Sequence, residues 1–195
     1  MFNPLSALSL FGSYSESLDP NEGLLPGGAP LQPTRGKSVE AGLRIRHPFM
    51  DFTFDGAVFD IEQTNVTAEA PGNPGFEIQT ARQDSEGLDL ELSLRPVPAL
   101  RLGIGYAYTD VQIRGDPEIP DGTAPLNAPL HKLIVYGLLS ASLRHEKDLH
   151  AGFSVAYSSK RQGSLDIEEL GVKLDGYSTV NLFASFELTP QVEFG

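Results

Sequence analysis

Apolar and polar residues alternate along most of this chain, and the alternation continues over unusually long stretches. A period of two residues is typical of a β-strand with two unlike faces, because successive side chains point to opposite sides of a sheet. The clearest stretches are Val39–Ile45, Leu88–Leu94, Leu102–Thr109, Ala151–Ser158 and Val180–Leu188. No segment matches a helical period as well as these segments match a period of two. The pattern therefore predicts an all-β chain.

The alternation predicts eight long strands and the start of a ninth at Gln191. The eight strands are expected at about 7–18, 36–46, 52–65, 76–94, 100–114, 131–144, 149–160 and 177–188. Most of them reach ten residues or more, whereas the common strand has about 5–6. Strands of this length favour a barrel wall over an ordinary soluble sheet.

The connections between these strands alternate in length. Short ones, at 47–51, 95–99, 145–148 and 189–190, alternate with long ones rich in Gly, Pro and Asp, at 19–35, 66–75, 115–130 and 161–176. This form is an antiparallel meander with one plain rim and one elaborated rim. Transmembrane β-barrels have the same form, with short periplasmic turns and long extracellular loops.

Four tyrosines support a membrane setting. Tyr14, Tyr106, Tyr108 and Tyr157 lie near the strand ends that lead into long connections. Aromatic residues are expected there as an interfacial belt.

Charge and composition exclude several classes of protein. The 195 residues carry 14 Lys and Arg against 26 Asp and Glu, a net charge of −12, so nucleic acid is not expected as a partner. Cysteine is absent, which excludes disulfides and thiolate sites. No run of about 18 apolar residues is present for a transmembrane helix. Residues 1–9 do not have the form of a signal peptide.

Short motifs give no support to an enzyme. Gly36-Lys37-Ser38 lacks the glycine that a P-loop has five residues earlier, because position 31 is leucine. His145 and His150 lie five residues apart across a tight turn, which is not a helical ligand pair. No Gly-x-Ser-x-Gly elbow is present. We therefore predict no catalytic residues, no metal site and no cofactor.

Four stretches resemble a known family in their order and spacing. Ser9–Leu18 resembles a strand of the form YASYSESF, and Leu31–Gly42 resembles L-x-P-E-x-G-K-x-x-E-x-G with a threonine in place of the usual acid. Ala57–Val66 resembles A-x-F-x-I-x-x-T-N-V. Gly103–Asp110 followed by Pro125–His131 resembles GYAYTDA … LPNVPRH. The chain thus resembles the carboxy-terminal part of the β-barrel of TonB-dependent outer-membrane receptors for ferric siderophores.

The resemblance implies a fold, a location and partners. It implies an antiparallel meander that forms part of a 22-stranded transmembrane barrel in the outer membrane of a Gram-negative bacterium. It implies uptake of a ferric siderophore, contact with outer-membrane lipid, and coupling to the TonB complex through an amino-terminal plug domain. Residues 1–195 are expected to be a barrel fragment without the plug, because only about eight full strands precede Gly195. We expect the sheet to curve and not to close.

Five basic residues near the elaborated rim are the candidates for ligand binding. They are Arg35, Arg82, Arg114, Lys160 and Arg161, and the loops beside them are acidic. Two alternatives remain open at this point. One is a passive outer-membrane pore or an adhesin, which would share the barrel but have no plug. The other is a soluble acidic β-sandwich, whose apolar side chains would be buried against a second sheet.

Overall fold

Ten strands form one antiparallel sheet, and their order in the sheet follows their order in the chain. The computed structural model describes residues 2–5, 7–25, 27–47, 51–69, 77–116, 119–143, 147–165, 171–189 and 192–194. The strands are β1 Phe2–Leu5, β2 Leu8–Asp19, β3 Thr34–Arg46, β4 Asp51–Glu69, β5 Glu77–Val97, β6 Leu100–Arg114, β7 His131–Leu143, β8 Lys147–Ser158, β9 Arg161–Gln162, β10 Lys173–Leu174, β11 Tyr177–Thr189 and β12 Val192–Phe194. β9 and β10 pair with each other in a separate two-stranded ribbon.

The eight predicted long strands are all present, as β2 to β8 and β11. β12 follows the predicted start at Gln191, a residue outside the described ranges. β4 is longer than predicted because its ladder with β5 continues outward to the pair Glu69–Glu77, and β5 is longer at its opposite end, where it reaches Val97. The alternation does not predict β1, β9 or β10, because strands of two to four residues are too short to show a period.

The register places most of the apolar residues of the eight long strands on one side of the sheet. Directly opposite residues in an antiparallel pair share a face. One rung therefore joins like side chains across the whole sheet: Leu8, Ile45, Phe54, Leu92, Ile104, Val135, Val155 and Val180. We call this side the apolar face and the other side the polar face. The polar face carries Glu40, Arg44, Asp89, Glu91, Ser154 and Asn181, as predicted.

The apolar face is open to its surroundings. Leu182 is 78% exposed and Val180 is 63% exposed, and the described residues include no second sheet that covers them. The soluble β-sandwich is therefore wrong for this chain, because its apolar residues would be buried between two sheets. An apolar surface of this extent indicates contact with lipid or another apolar phase. Among the described residues, no helix is long and apolar enough to cross a membrane.

The apolar belt crosses the strands diagonally. On β11 its last apolar residue toward the long connections is Val180, whose rung meets β3 at Ile45. On β3 the belt continues six residues further, to Val39, and six strand-to-strand steps separate the two strands. The belt thus shifts by about one residue per strand. With a rise of about 3.3 Å and a strand spacing of about 4.8 Å, this shift corresponds to a strand tilt of roughly 35°, which agrees with transmembrane barrels.

The four predicted belt tyrosines all lie on the apolar face. Tyr14, Tyr108 and Tyr157 lie at its end toward the long connections, and Tyr106 lies two residues further inward along β6. Tyr106 also bonds His131 through its hydroxyl, at 3.0 Å from the ring Nδ1. Rings with a polar tip suit this level, because one part meets hydrocarbon and the other meets water.

The sheet does not close on itself within the described residues. β1 lies at one edge and β12 at the other, and β2 pairs with β1 and β3. The prediction of an open sheet is therefore confirmed for this part of the chain. In a bilayer both edges need partners, because unpaired backbone groups cannot be hydrated there.

Candidate ligand-binding surface

A cleft of about 770 Å³ lies on the polar face and spans five neighbouring strands, β5 to β8 and β11. Its polar-face lining residues are Asp89, Glu91, Gly105, Ala107, Lys132, Ile134, Tyr136, Ala156, Ser158, Tyr177 and Thr179. A cleft that extends over five strands requires the sheet to be concave on that side. The polar face is therefore the inner face of the curved wall in this region.

Small residues form the floor of this cleft. Gly105 and Ala107 of β6 and Ala156 of β8 all point into it. The walls come from the strands between and beside them, with Tyr136 on β7 and Tyr177 on β11. The sequence builds this shape because the polar-face positions next to the cleft are small on both strands, Gly103 to Ala107 on β6 and Gly152 to Ser158 on β8. A groove with small residues at its base leaves room for a ligand between its aromatic sides.

Charges of both signs lie in the cleft without protein partners. Asp89 and Glu91 stand on one wall and Lys132 on β7 stands opposite. None of the three forms a hydrogen bond or ion pair with another described residue. A cleft of this kind can accept both cationic and anionic groups of one ligand, while its tyrosines offer hydroxyls and flat apolar surface.

Arg161 contacts Tyr177, one of the lining residues of the cleft. Its guanidinium lies over the ring of Tyr177, 5.2 Å from the ring centre. It also donates to the Asn127 side chain at 3.2 Å and to the Asp175 carbonyl at 3.3 Å. These contacts fix a cation beside the cleft, and a guanidinium over an aromatic ring is a favourable arrangement.

Two long connections pack together above the cleft. Ile113 at the end of β6 is fully buried beneath Ile119 and Leu165, one from each connection. Gln162 is 2% exposed and accepts a hydrogen bond from the Lys173 ammonium. This small core of side chains was not predicted, since its members are distant in sequence. It holds part of the elaborated rim on the side of the polar face.

Three of the five predicted ligand residues lie on the apolar face. Arg35, Arg82 and Arg114 share one rung of β3 to β6, on which Thr64 is the fourth member. That rung lies beyond the apolar belt, toward the long connections. The placement favours a role at the outer surface over one in the lumen. Of the five predicted residues, Arg161 alone contacts a lining residue of the cleft.

Acidic neighbours engage two of these arginines. Arg82 bonds Asp84 and lies 3.2 Å from a carboxylate oxygen of Glu62, while Arg114 lies 3.9 Å from Asp84. The hydrogen bond that Arg82 donates to the Asp84 carboxylate, together with the nearby carboxylates, raises the pKa of Arg82 above its ordinary value. Arg35 has no such partner among the described residues, and Lys160 is exposed in the connection after β8.

Asn65 lies at the centre of a group of hydrogen bonds at the rim, which we call the polar knot. Asn65 has a left-handed backbone with φ of 59°. Its carbonyl oxygen accepts hydrogen bonds from Asn21 at 3.3 Å, Thr34 at 2.9 Å and Gln79 at 3.1 Å. Its amide donates to the Pro33 carbonyl at 3.2 Å. The knot ties the connection between β2 and β3 to the outer ends of β4 and β5.

Replacing Asn65 by alanine should loosen this connection. The change removes the bond to Pro33 and forces a Cβ-bearing residue without local polar support into the left-handed region, which costs about 1–2 kcal/mol. We expect faster cleavage at Glu22 by a glutamate-specific protease in the intact protein. Asn65→Gly should be cleaved more slowly than Asn65→Ala, because glycine adopts a positive φ without strain. Equal cleavage of Asn65→Ala and wild type would contradict the structural role of the knot.

Among the described residues, no group of three or more His, Asp or Glu side chains is arranged to hold a metal ion. The lining of the cleft offers hydrogen-bonding groups, charges and ring surfaces for recognition of a ligand.

Comparison with known proteins gives one consistent family. The family model described as "TonB dependent receptor-like, beta-barrel" matches residues 1–195. The metal-pseudopaline receptor CntO of Pseudomonas aeruginosa is 29% identical over 195 residues, which are 100% of this chain and 27% of that protein. The ferrioxamine B receptor of Salmonella typhimurium is 32% identical over 118 residues, 60% of this chain and 16% of that protein.

A solved structure shows the same fold. The ferric yersiniabactin uptake receptor FyuA from Yersinia pestis matches with a TM-score of 0.73 at 15% sequence identity, over 94% of this chain and 28% of that one. The chain thus spans between a sixth and about a quarter of the two curated relatives.

Proposed function

The chain belongs to the TonB-dependent receptor β-barrel family, and from that premise we propose that it is part of the wall of an outer-membrane receptor that imports a metal chelate. The observation that carries this proposal is the contrast between the two faces. One face bears a tilted apolar belt, and the other bears a polar cleft of about 770 Å³ with small residues at its base. A wall between lipid and an aqueous lumen has this division.

The complete receptor would contain the remaining strands and a plug domain. The chain matches 27% of the length of the pseudopaline receptor, so most of a receptor of that size lies outside these residues. In such a receptor the plug would supply the contact with the TonB complex, and the cleft would face the lumen. We propose that the wall described here acts by recognition of the chelate, through the charged and aromatic groups of the cleft.

The cleft favours a chelate of mixed charge. Lys132 faces Asp89 and Glu91 across the groove, and Tyr136 and Tyr177 add aromatic surface. A strongly anionic catecholate chelate would meet repulsion from the two carboxylates. Chelates that combine cationic, neutral and carboxylate groups fit this surface better, and the two curated relatives are named for pseudopaline and ferrioxamine B.

Uptake measured in cells tests the proposal. A strain that lacks the receptor gene would be supplied with labelled metal complexes of a catecholate, a hydroxamate and an aminocarboxylate chelator. The complete receptor gene should restore uptake of a hydroxamate or aminocarboxylate complex, and deletion of the tonB gene should abolish that uptake. Uptake that persists without TonB would instead support a passive pore. Binding to the surface without uptake would support an adhesin.

A further inference from the structure

Four aromatic rings on the polar face each lie directly opposite a glycine of a neighbouring strand. The pairs are Phe11 with Gly42, Phe59 with Gly87, Tyr136 with Gly103, and Phe183 with Gly152. A glycine inside a strand weakens it, and a ring that covers the bare backbone compensates for the missing side chain.

The contacts are close enough to exclude any larger residue at the glycine. A methyl group built on Gly42 would lie 2.5 Å from the Phe11 ring, and one on Gly87 would lie 2.6 Å from the Phe59 ring. The same construction on Gly152 overlaps the Phe183 ring. On Gly103 it gives 2.5 Å to the Tyr136 hydroxyl. Each ring therefore occupies the space of the absent side chain.

All four pairs join strands whose connection is long. They lie between β2 and β3, β4 and β5, β6 and β7, and β8 and β11. Among the described residues, the three pairs of long strands with short connections, β3 with β4, β5 with β6 and β7 with β8, carry no such contact on the polar face. A fifth ring, Phe153, covers Gly137 on the apolar face between β7 and β8.

Length of connection decides what sets the register of a strand pair. A tight turn fixes the register by its own geometry, whereas a long connection leaves it free. The alternation of apolar and polar residues does not help, because a slip of two residues leaves every side chain on its original face. A hairpin with a long connection therefore needs side chains that recognise one partner position.

We propose that the four ring–glycine pairs set the register of the four hairpins with long connections, and we call these pairs register keys. The pair in β4 and β5 shows the selectivity. A slip of two residues would move the Phe59 ring from Gly87 onto Asp89 or Ser85, where a side chain already occupies the space. Phe183 would likewise move from Gly152 onto Ser154 or His150. In β6 the key is less strict in one direction, since Gly105 follows Gly103 by two residues.

Cysteine cross-linking reads the register directly, because these 195 residues contain no cysteine. Val58 lies opposite Leu88 in the native ladder. A cysteine pair at 58 and 88 reports the native register, and pairs at 58 and 90 or at 58 and 86 report the two slipped registers. Opposite positions lie within disulfide reach, whereas diagonal ones lie at or beyond its limit of about 7 Å. The pairs are built into the complete receptor and oxidised in isolated outer membranes.

Phe59→Ala should raise the slipped cross-link by about tenfold over wild type, the change that corresponds to losing about 1.4 kcal/mol of register preference. Phe59→Tyr keeps the ring and should resemble wild type. The matched control is Phe54→Ala, which removes a phenylalanine of the same strand that faces the other side and lies opposite Ile45 and Leu92. It should leave the native cross-link dominant.

Two outcomes would overturn the proposal. One is an unchanged slipped cross-link in Phe59→Ala, and the other is an equal rise in Phe54→Ala, which would indicate general loosening. Where Phe59→Ala fails to reach the membrane, Phe59→Leu supplies the same test, because leucine keeps apolar bulk without a flat ring. The slipped cross-link should rise in Phe59→Leu. A cross-linking pattern equal to wild type in that variant would also contradict the proposal. The readout is independent of uptake, so it does not depend on the ligand of the receptor.

Discussion

Replacing Leu90 by arginine should lower the stability of the complete receptor in a bilayer by about 2–4 kcal/mol, the cost of a guanidinium near the membrane midplane. Leu90 lies on the apolar face, is 38% exposed, and has further leucines on either side of it along β5. Its direct neighbours on the same rung are Gly56 and Tyr106, which offer no anionic partner. Denaturant unfolding of the receptor in lipid vesicles measures the loss.

The neighbouring position supplies the control. Glu91 lies on the polar face, within the lining of the cleft, so an arginine there would be hydrated and close to Asp89. Glu91→Arg should therefore cost much less than Leu90→Arg, although the two changes differ by one position in the same strand. Equal losses at the two positions would contradict the assignment of one face to lipid and the other to the lumen.

The two faces follow from the sequence alone because alternation is a local property. Val39, Leu90 and Phe153 have the phase of the apolar face, and Glu40, Glu91 and Ser154 have the opposite phase. Each strand is long enough to repeat its phase several times, so an error at one position is corrected by the next. Eight strands and the open meander could therefore be predicted, with boundaries that differ from the structure by a few residues.

The same alternation also predicts on which face of the sheet the candidate ligand residues lie, which their basic charge alone does not. Arg35 is in phase with Val39, and Arg82 is in phase with Leu88. Parity extended through the rim thus places both on the apolar face, as the register does. Choosing residues by charge near a long connection selects the rim correctly but does not select a face.

Long-range register explains what the sequence could not predict. The cleft brings together Glu91, Lys132 and Tyr177, which lie 41 and 45 positions apart in the chain. Their relative levels depend on four successive strand pairings, from β5 to β11. The buried contact of Ile113, Ile119 and Leu165 likewise joins two separate connections. No local pattern encodes such meetings, because loop length leaves relative position open.

Replacing Ala156 by tryptophan should block the cleft and reduce uptake of the chelate without preventing assembly. Ala156 lies in the floor between Ile134 and Thr179, so an indole there would project into the space that a ligand needs. Displacing one small group of a ligand from its pocket costs about 1–3 kcal/mol of binding free energy, which is roughly ten- to 200-fold in discrimination. We expect a reduction of uptake within that range, measured with the labelled complex that the wild-type receptor imports.

The adjacent residue separates blocking of the lumen from a general effect of a large side chain. Val155 lies on the apolar face, is 37% exposed, and shares its rung with Val135 and Val180. A tryptophan at 155 would meet lipid, which accepts an aromatic ring readily. Val155→Trp should therefore keep near wild-type uptake at equal amounts of folded receptor in the membrane. If Ala156→Trp also keeps full uptake, the cleft does not lie on the path of the ligand, and the chelate contacts other parts of the receptor.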